Sequence, residues 1–144
     1  TIVLLNKKGK EQKYFQLNIG KNSNSGVEGV SYNSGNGHFF VIKEKDKGLL
    51  LDLDSDFKEI SRKKLNFAKD YSGIFYEKTN KHLWILSDES RLLAECDLLG
   101  NAINKYKVKV RNPEGLSIDF ANKKIYIVSD SAEKLYVFEV DGIK

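Results

Sequence analysis

A repeat of roughly 40–45 residues constrains this chain more than any other feature. Three segments align: "GVEGVSYNSGNGHFFVIKEKDKGLLLDLD", "DYSGIFYEKTNKHLWILSDESRLLAECDLLGN" and "NPEGLSIDFANKKIYIVSDSAEKLYVFEVDG". Gly29, Gly73 and Gly115 correspond, at spacings of 44 and 42 residues. Phe39–Ile42, Leu83–Leu86 and Ile125–Val128 correspond as well. A unit of this length that holds four short strands is a propeller blade. The expected fold is therefore all-β, a β-propeller of four-stranded blades with about three blades present.

Each unit predicts the same strand order. An inner strand follows the glycine, as in "GVSYN", "GIFYE" and "GLSID", and tight turns follow at Asn36-Gly37, Thr79-Asn80-Lys81 and Ala121-Asn122-Lys123. The second strand is continuously apolar, which suits burial on both faces between neighbouring blades. The third strand is "LLLDL", "LAECDL" or "LYVFEV", and a turn such as Leu99-Gly100-Asn101 leads to the fourth. In "INKYKVKV", Lys105, Lys107 and Lys109 alternate with Tyr106, Val108 and Val110. That pattern predicts an outer strand with one packed and one wet face, its lysines blunting an exposed edge.

The formal net charge of +4 is thus read as solvated edges. Aromatic side chains interleaved with basic ones on one stacking platform are not evident, so nucleic acid is not an expected partner. No apolar run approaches the roughly 20 residues of a membrane-spanning helix. Membrane contact is expected only through an anchor lost from this segment. The chain starts at Thr1 and contains no methionine, which suggests a processed or excised segment. The single cysteine, Cys96, excludes an intrachain disulfide and is read as a buried structural thiol.

The expected organisation is a partial propeller: 1–21 the end of one blade, 22–68 and 69–111 two blades, and 112–144 an incomplete blade. At about 43 residues per unit, six blades need about 260 residues. A second chain or missing blades are therefore the expected partner that completes the ring.

"NPEGLSIDFANKKIYIVSDSAEKLYVFEVDG", with "GVEGVSYN" and "HLWILSDES", resembles the blade signature of the SdiA-regulated (YjiK-like) propellers, which are related to NHL-type and phytase-like propellers. The resemblance covers about positions 22–142. It implies a six-bladed propeller of which this chain is about half, a link to calcium, and a place in the cell envelope or periplasm. It implies no firmly assigned reaction.

Strand order indicates which face acts. Neighbouring strands in a blade run antiparallel, so the loop before the first strand and the loop between the second and third share one face. The first loop brings Glu28, Asp70 and Asn112-Pro113-Glu114, and the second brings Glu44, Asp46, Asp88, Glu89 and Asp130. One face of a basic chain thus collects carboxylates round the channel, a donor set that suits a hard cation such as calcium. Glu28, Glu114, Asp88 and Asp130 are the metal candidates, and Glu28, Asp70, Asn112 and Glu114 the ligand-binding candidates. The competing readings are structural: acids before a glycine can bind backbone amides, and Ser87-Asp88 and Ser129-Asp130 can be turn formers. Ser72 replaces the glutamate in the second unit and breaks a simple three-fold site.

His38 and His82 fall at the opposite turns and are read as structural or surface residues without an acid or nucleophile partner. No catalytic residue is identified. Lys43, Lys45 and Lys134 are the lysines that a phosphate-handling role would use. The expected function is a cell-envelope propeller that binds calcium or a small ligand at the channel mouth. The alternative is a calcium-dependent hydrolase of phosphoesters or lactones.

Overall fold

The computed structural model describes residues 1–20, 26–44 and 48–140. Lys45 and Asp46 lie outside the described residues, as do the ends of the proposed blades at 21, 22 and 141–144. The described residues form thirteen strands and no helix. β1 (Ile2–Leu5) and β2 (Glu11–Phe15) make a two-stranded sheet. β3 (Val27–Asn33), β4 (His38–Lys43), β5 (Leu49–Leu53) and β6 (Glu59–Lys64) make a four-stranded one. β7 (Gly73–Glu77), β8 (His82–Ser87), β9 (Leu92–Cys96) and β10 (Ala102–Lys107) make another. β11 (Pro113–Asp119), β12 (Lys124–Ser129) and β13 (Lys134–Glu139) form a sheet of three. All neighbours are antiparallel and consecutive in sequence, so each sheet is a simple meander, the propeller blade predicted from the repeat.

The core is a series of layers between blades. Phe40, Ile42 and Leu50 of the β3–β6 blade meet Tyr71, Ile74, Leu83 and Ile85 of the next. Trp84, Leu86 and Leu93 in turn meet Ile118, Ile125 and Ile127 of the β11–β13 blade. Val41, Leu51 and Leu53 pack towards Ile2 and Leu17, on the side of β1–β2. The second strands serve two layers at once: in β8 the alternate residues Leu83 and Ile85 face one layer, Trp84 and Leu86 the other. This explains why they read as unbroken apolar runs rather than alternating ones. β12 is less enclosed, and Val128 is 46% exposed.

Hairpin turns are stabilised at equivalent places. Asn33 Oδ1 accepts the Gly35 amide at 2.9 Å, and Asp119 Oδ1 accepts that of Asn122 at 3.0 Å. Buried Glu77 accepts the amides of Thr79 and Asn80. Gly37, Lys81 and Lys123 close these turns at φ 79°, 57° and 52°.

The outer strands differ from the expectation. All six residues of β10 keep substantial exposure, and the packed face is formed only at Tyr106, whose ring stacks on buried Trp84 with centroids 5.8 Å apart. Val108 and Val110 are buried, but they lie beyond the strand, where the connection turns into the layer between blades. β10 is an edge strand with a neighbour on one side only, so beyond Tyr106 the apolar half of the predicted alternation reflects the connection rather than the strand.

Candidate functional site

The inner strands place the site. β7 lies between β3 and β11. The contact is close because the first strands carry glycines: a Cβ on Gly29 would stand 3.0 Å from Ile74 Cγ2, and one on Gly73 would stand 3.5 Å from the Glu114 carbonyl oxygen. Adjacent blades are also bonded here, Tyr76 N donating to Ser31 Oγ at 2.8 Å and Ser72 Oγ donating to the Pro113 carbonyl at 2.6 Å.

The two glutamates before these glycines sit at bulges. Along β3 and β4 the pairs run Val27–Lys43 and then Gly29–Ile42, so Glu28 has no partner. Along β11 and β12 they run Pro113–Ser129 and then Gly115–Val128, so Glu114 has none either. A bulge adds one residue to a strand and re-aims its side chain out of the alternation. Pro113 suits the first position of such a strand, where its missing N–H costs little. In the middle blade the ladder starts at Gly73 without a skip. Ser72, in the glutamate's place, is buried and holds the next blade.

The predicted residues then separate into two groups. Asp70 is buried, and its Oδ1 accepts Ser87 Oγ at 2.5 Å and the Glu89 amide at 3.0 Å. It ties the loop before β7 to the β8–β9 turn. Asn112, in the left-handed region at φ 45°, donates from Nδ2 to Asp88 Oδ2 at 3.2 Å, and its Oδ1 accepts Ser131 Oγ at 2.8 Å. It spans the turns of two blades. Ser87 and Ser129 make the turn bonds foreseen for them: their Oγ atoms accept Ser90 N and Ala132 N, each at 3.2 Å. Glu28, Glu114 and Asp130 are exposed and Asp88 is half-buried.

These four acids, with Glu44, share one electrostatic field. The Glu114 carboxyl is raised above its ordinary value, first by burial and then by Asp88, Glu28, Asp130 and Glu44. The carboxylates come from three blades and all act in the same direction, which is the repulsion expected when like charges are held together. Among the described residues, however, no three His, Cys, Asp or Glu side chains stand close enough to hold one metal ion.

The histidines correct the sequence reading. His38 Nδ1 lies 3.0 Å from Asp52 Oδ1, and His82 Nδ1 lies 2.8 Å from Glu95 Oε1. Both are paired, each to an acid on the third strand of its own blade. The acids sit opposite Phe40 and Trp84, two residues beyond the histidines, a diagonal that residue spacing alone does not reveal. Glu95 Oε2 also accepts Asn104 Nδ2 at 2.7 Å. Cys96 is fully buried, and burial pushes its thiol up to about 12. Lys43 is buried at the end of β4 and Lys134 is exposed at the start of β13.

A family profile described as SdiA-regulated matches residues 5–139. The chain belongs to the SdiA-regulated family. Among solved structures, this SdiA-regulated chain resembles a protein of unknown function from Bacteroides caccae, with a TM-score of 0.69 and 11% identity, covering 99% of this chain and 51% of that one. Virginiamycin B lyase from Staphylococcus aureus matches with a TM-score of 0.59 and 13% identity, over 94% of this chain and 47% of that one. A luciferin-regenerating enzyme matches at 0.60 and 13%, over 81% and 45%. The likeness carries the propeller fold, and the chain spans about half the length of these proteins.

Proposed function

We propose that this chain is part of a binding propeller whose acidic channel mouth takes a cation, with calcium the candidate, or a small ligand. The supporting observation is the field at Glu114, where, beyond the effect of burial, Asp88, Glu28, Asp130 and Glu44, from three blades, raise its carboxyl in the same direction. A cation there relieves that repulsion. As placed, fewer than three of these side chains would engage one calcium ion, so carbonyls and water would supply the rest of its roughly six to eight oxygens. The bulges at Glu28 and Glu114 support this role because they free both side chains from the strand alternation. Asp70 and Asn112 are then positioning residues that hold the surrounding loops. Further blades that complete the ring, and a location in the cell envelope, belong to the same reading.

Calorimetric titration of calcium into the full protein and its Glu114→Gln and Glu28→Gln variants tests this. Weaker binding by both variants is expected. Equal affinity in all three would remove these glutamates from the site, and no binding to any would leave the acids a purely structural feature.

A hydrolytic role is the second reading. It draws on the same raised carboxyl, since an acid that holds its proton nearer neutrality suits general acid–base work. Screening phosphoesters and lactones with and without calcium separates the two, because only a hydrolase shows turnover that Glu114→Gln abolishes.

A further inference from the structure

We propose that the groove lined by Ser90, Arg91, Lys107, Lys109 and Arg111 is an anion site for a multiply charged oxyanion of the phosphate class. The groove has a volume of about 460 Å³, within the usual range of small-ligand sites. Its lining holds four cations and no acid, with the buried Val108 and Val110 as its apolar part. Those four charges equal the formal net charge of the whole chain, +4.

The cations come from three different places, and the backbone fixes them. Arg91 closes the β8–β9 turn in the left-handed region at φ 47°. Its amide donates to the Asp88 carbonyl at 2.9 Å, and its own carbonyl accepts Val108 N at 2.9 Å. The turn is thereby tied to the chain leaving β10. Lys107 ends β10 in register with Leu92. Arg111, in the connection to β11, is held through its carbonyl, which accepts Ser129 Oγ at 2.5 Å. Among the described residues none of the four side chains makes an ion pair. Like charges on anchored backbone with no acid in the groove lining repel one another, and an anion removes that cost. Two guanidinium groups also offer the planar donor forks that match phosphate oxygens.

Protection of a sheet edge does not account for the cluster. That role suits the lysines of β10, such as Lys105, whose ammonium stands 5.7 Å from the centre of the Phe67 ring. It does not explain Arg91 in a turn or Arg111 in a connection, both of which meet the lysines at one groove. The groove adjoins the channel mouth through the Asp88 turn, whose carbonyl accepts the Arg91 amide, but its lining carries the opposite charge.

The test is titration of sodium pyrophosphate into the full protein in calcium-free buffer, at constant ionic strength set with chloride. Saturable binding is expected. An Arg91→Gln/Arg111→Gln double variant is expected to raise Kd tenfold or more, Lys109→Gln to raise it less, and Lys105→Gln to leave it unchanged. Circular dichroism of each variant establishes that it is folded. No saturable binding by the wild-type protein would overturn the proposal. So would equal affinity in the double variant, or an equal loss in Lys105→Gln, which would indicate unspecific charge attraction.

Discussion

Replacing Gly48 with alanine tests the packing that holds the middle blade at the channel. A Cβ at Gly48 would stand 1.9 Å from Tyr71 Cε2 and 2.0 Å from its Cδ2. Carbon atoms settle at about 3.5–4.0 Å, so the overlap exceeds what small adjustments absorb. Neither partner has room to retreat. The Gly48 carbonyl accepts Leu65 N at 2.6 Å, and Tyr71 is fully buried with its hydroxyl accepting the Phe67 and Ala68 amides at 3.2 Å each. Overpacking costs about 1–3 kcal/mol. Pushing the ring aside breaks the bonds from its hydroxyl to two part-buried amides, at about 1 kcal/mol each. Together these give a loss of about 3–5 kcal/mol. In a chain of this size that lowers Tm by roughly 10 °C or more. Thermal and urea unfolding of the full protein measure it, with Tyr71→Leu as the second background. Without the ring, Gly48→Ala is expected to cost little, a coupling of about 2 kcal/mol or more. Strict additivity of the two substitutions would refute the reasoning.

Ser72→Ala removes the hydroxyl that bonds the Pro113 carbonyl, at an expected cost of about 1–2 kcal/mol, and faster amide exchange around 112–116 should accompany it. Glu114→Gln should change the pH dependence of stability. Because the folded state raises this carboxyl, the wild-type protein loses stability as pH rises from the ordinary value of 4.5 through the raised one. The variant's advantage should therefore be absent at strongly acid pH, grow through that window and stay constant above it, whereas an advantage already present at strongly acid pH would contradict the repulsion. Cys96 should resist thiol reagents at pH 8 until the protein unfolds, since the thiolate is suppressed by burial; rapid labelling of the native protein would contradict its placement.

The blades were legible because their signals are local and repeated. A glycine, an apolar run and a turn recur at nearly fixed spacing, and antiparallel parity alone assigns Glu28, Glu44, Asp88, Glu114 and Asp130 to one face. Features that depend on a single unpaired residue or on a diagonal were not legible. The bulges at Glu28 and Glu114 leave the residue types unchanged and alter only the pairing. The partners of His38 and His82 lie across a strand at an offset, and Gly48 and Tyr71 meet only after the blades pack. Asp70 carries the same side-chain chemistry as Asp88, yet it is buried on Ser87 and the Glu89 amide, because the loop before β7 folds over the neighbouring turn. The apolar alternation through Val108 and Val110 continues the strand pattern, although β10 stops at Lys107.

The skipped register has a consequence for how such a mouth can vary. Where the ladder passes over Glu28 or Glu114, pairing is already continuous on both sides through Val27 and Gly29, or Pro113 and Gly115. The skipped position is thus uncoupled from the scaffold, and its chemistry can change without moving the strands. In the middle blade the ladder begins at Gly73, and the serine before it donates its amide to the Leu86 carbonyl and its hydroxyl to the next blade. The position before the glycine is thus either a skipped residue, as in the first and third of these blades, or a contact between blades, as in the middle one. The three blades keep the same spacing to Gly29, Gly73 and Gly115, so exchanging the residue before the glycine, as Ser72 stands for glutamate, changes the charge a blade contributes without changing the chain length.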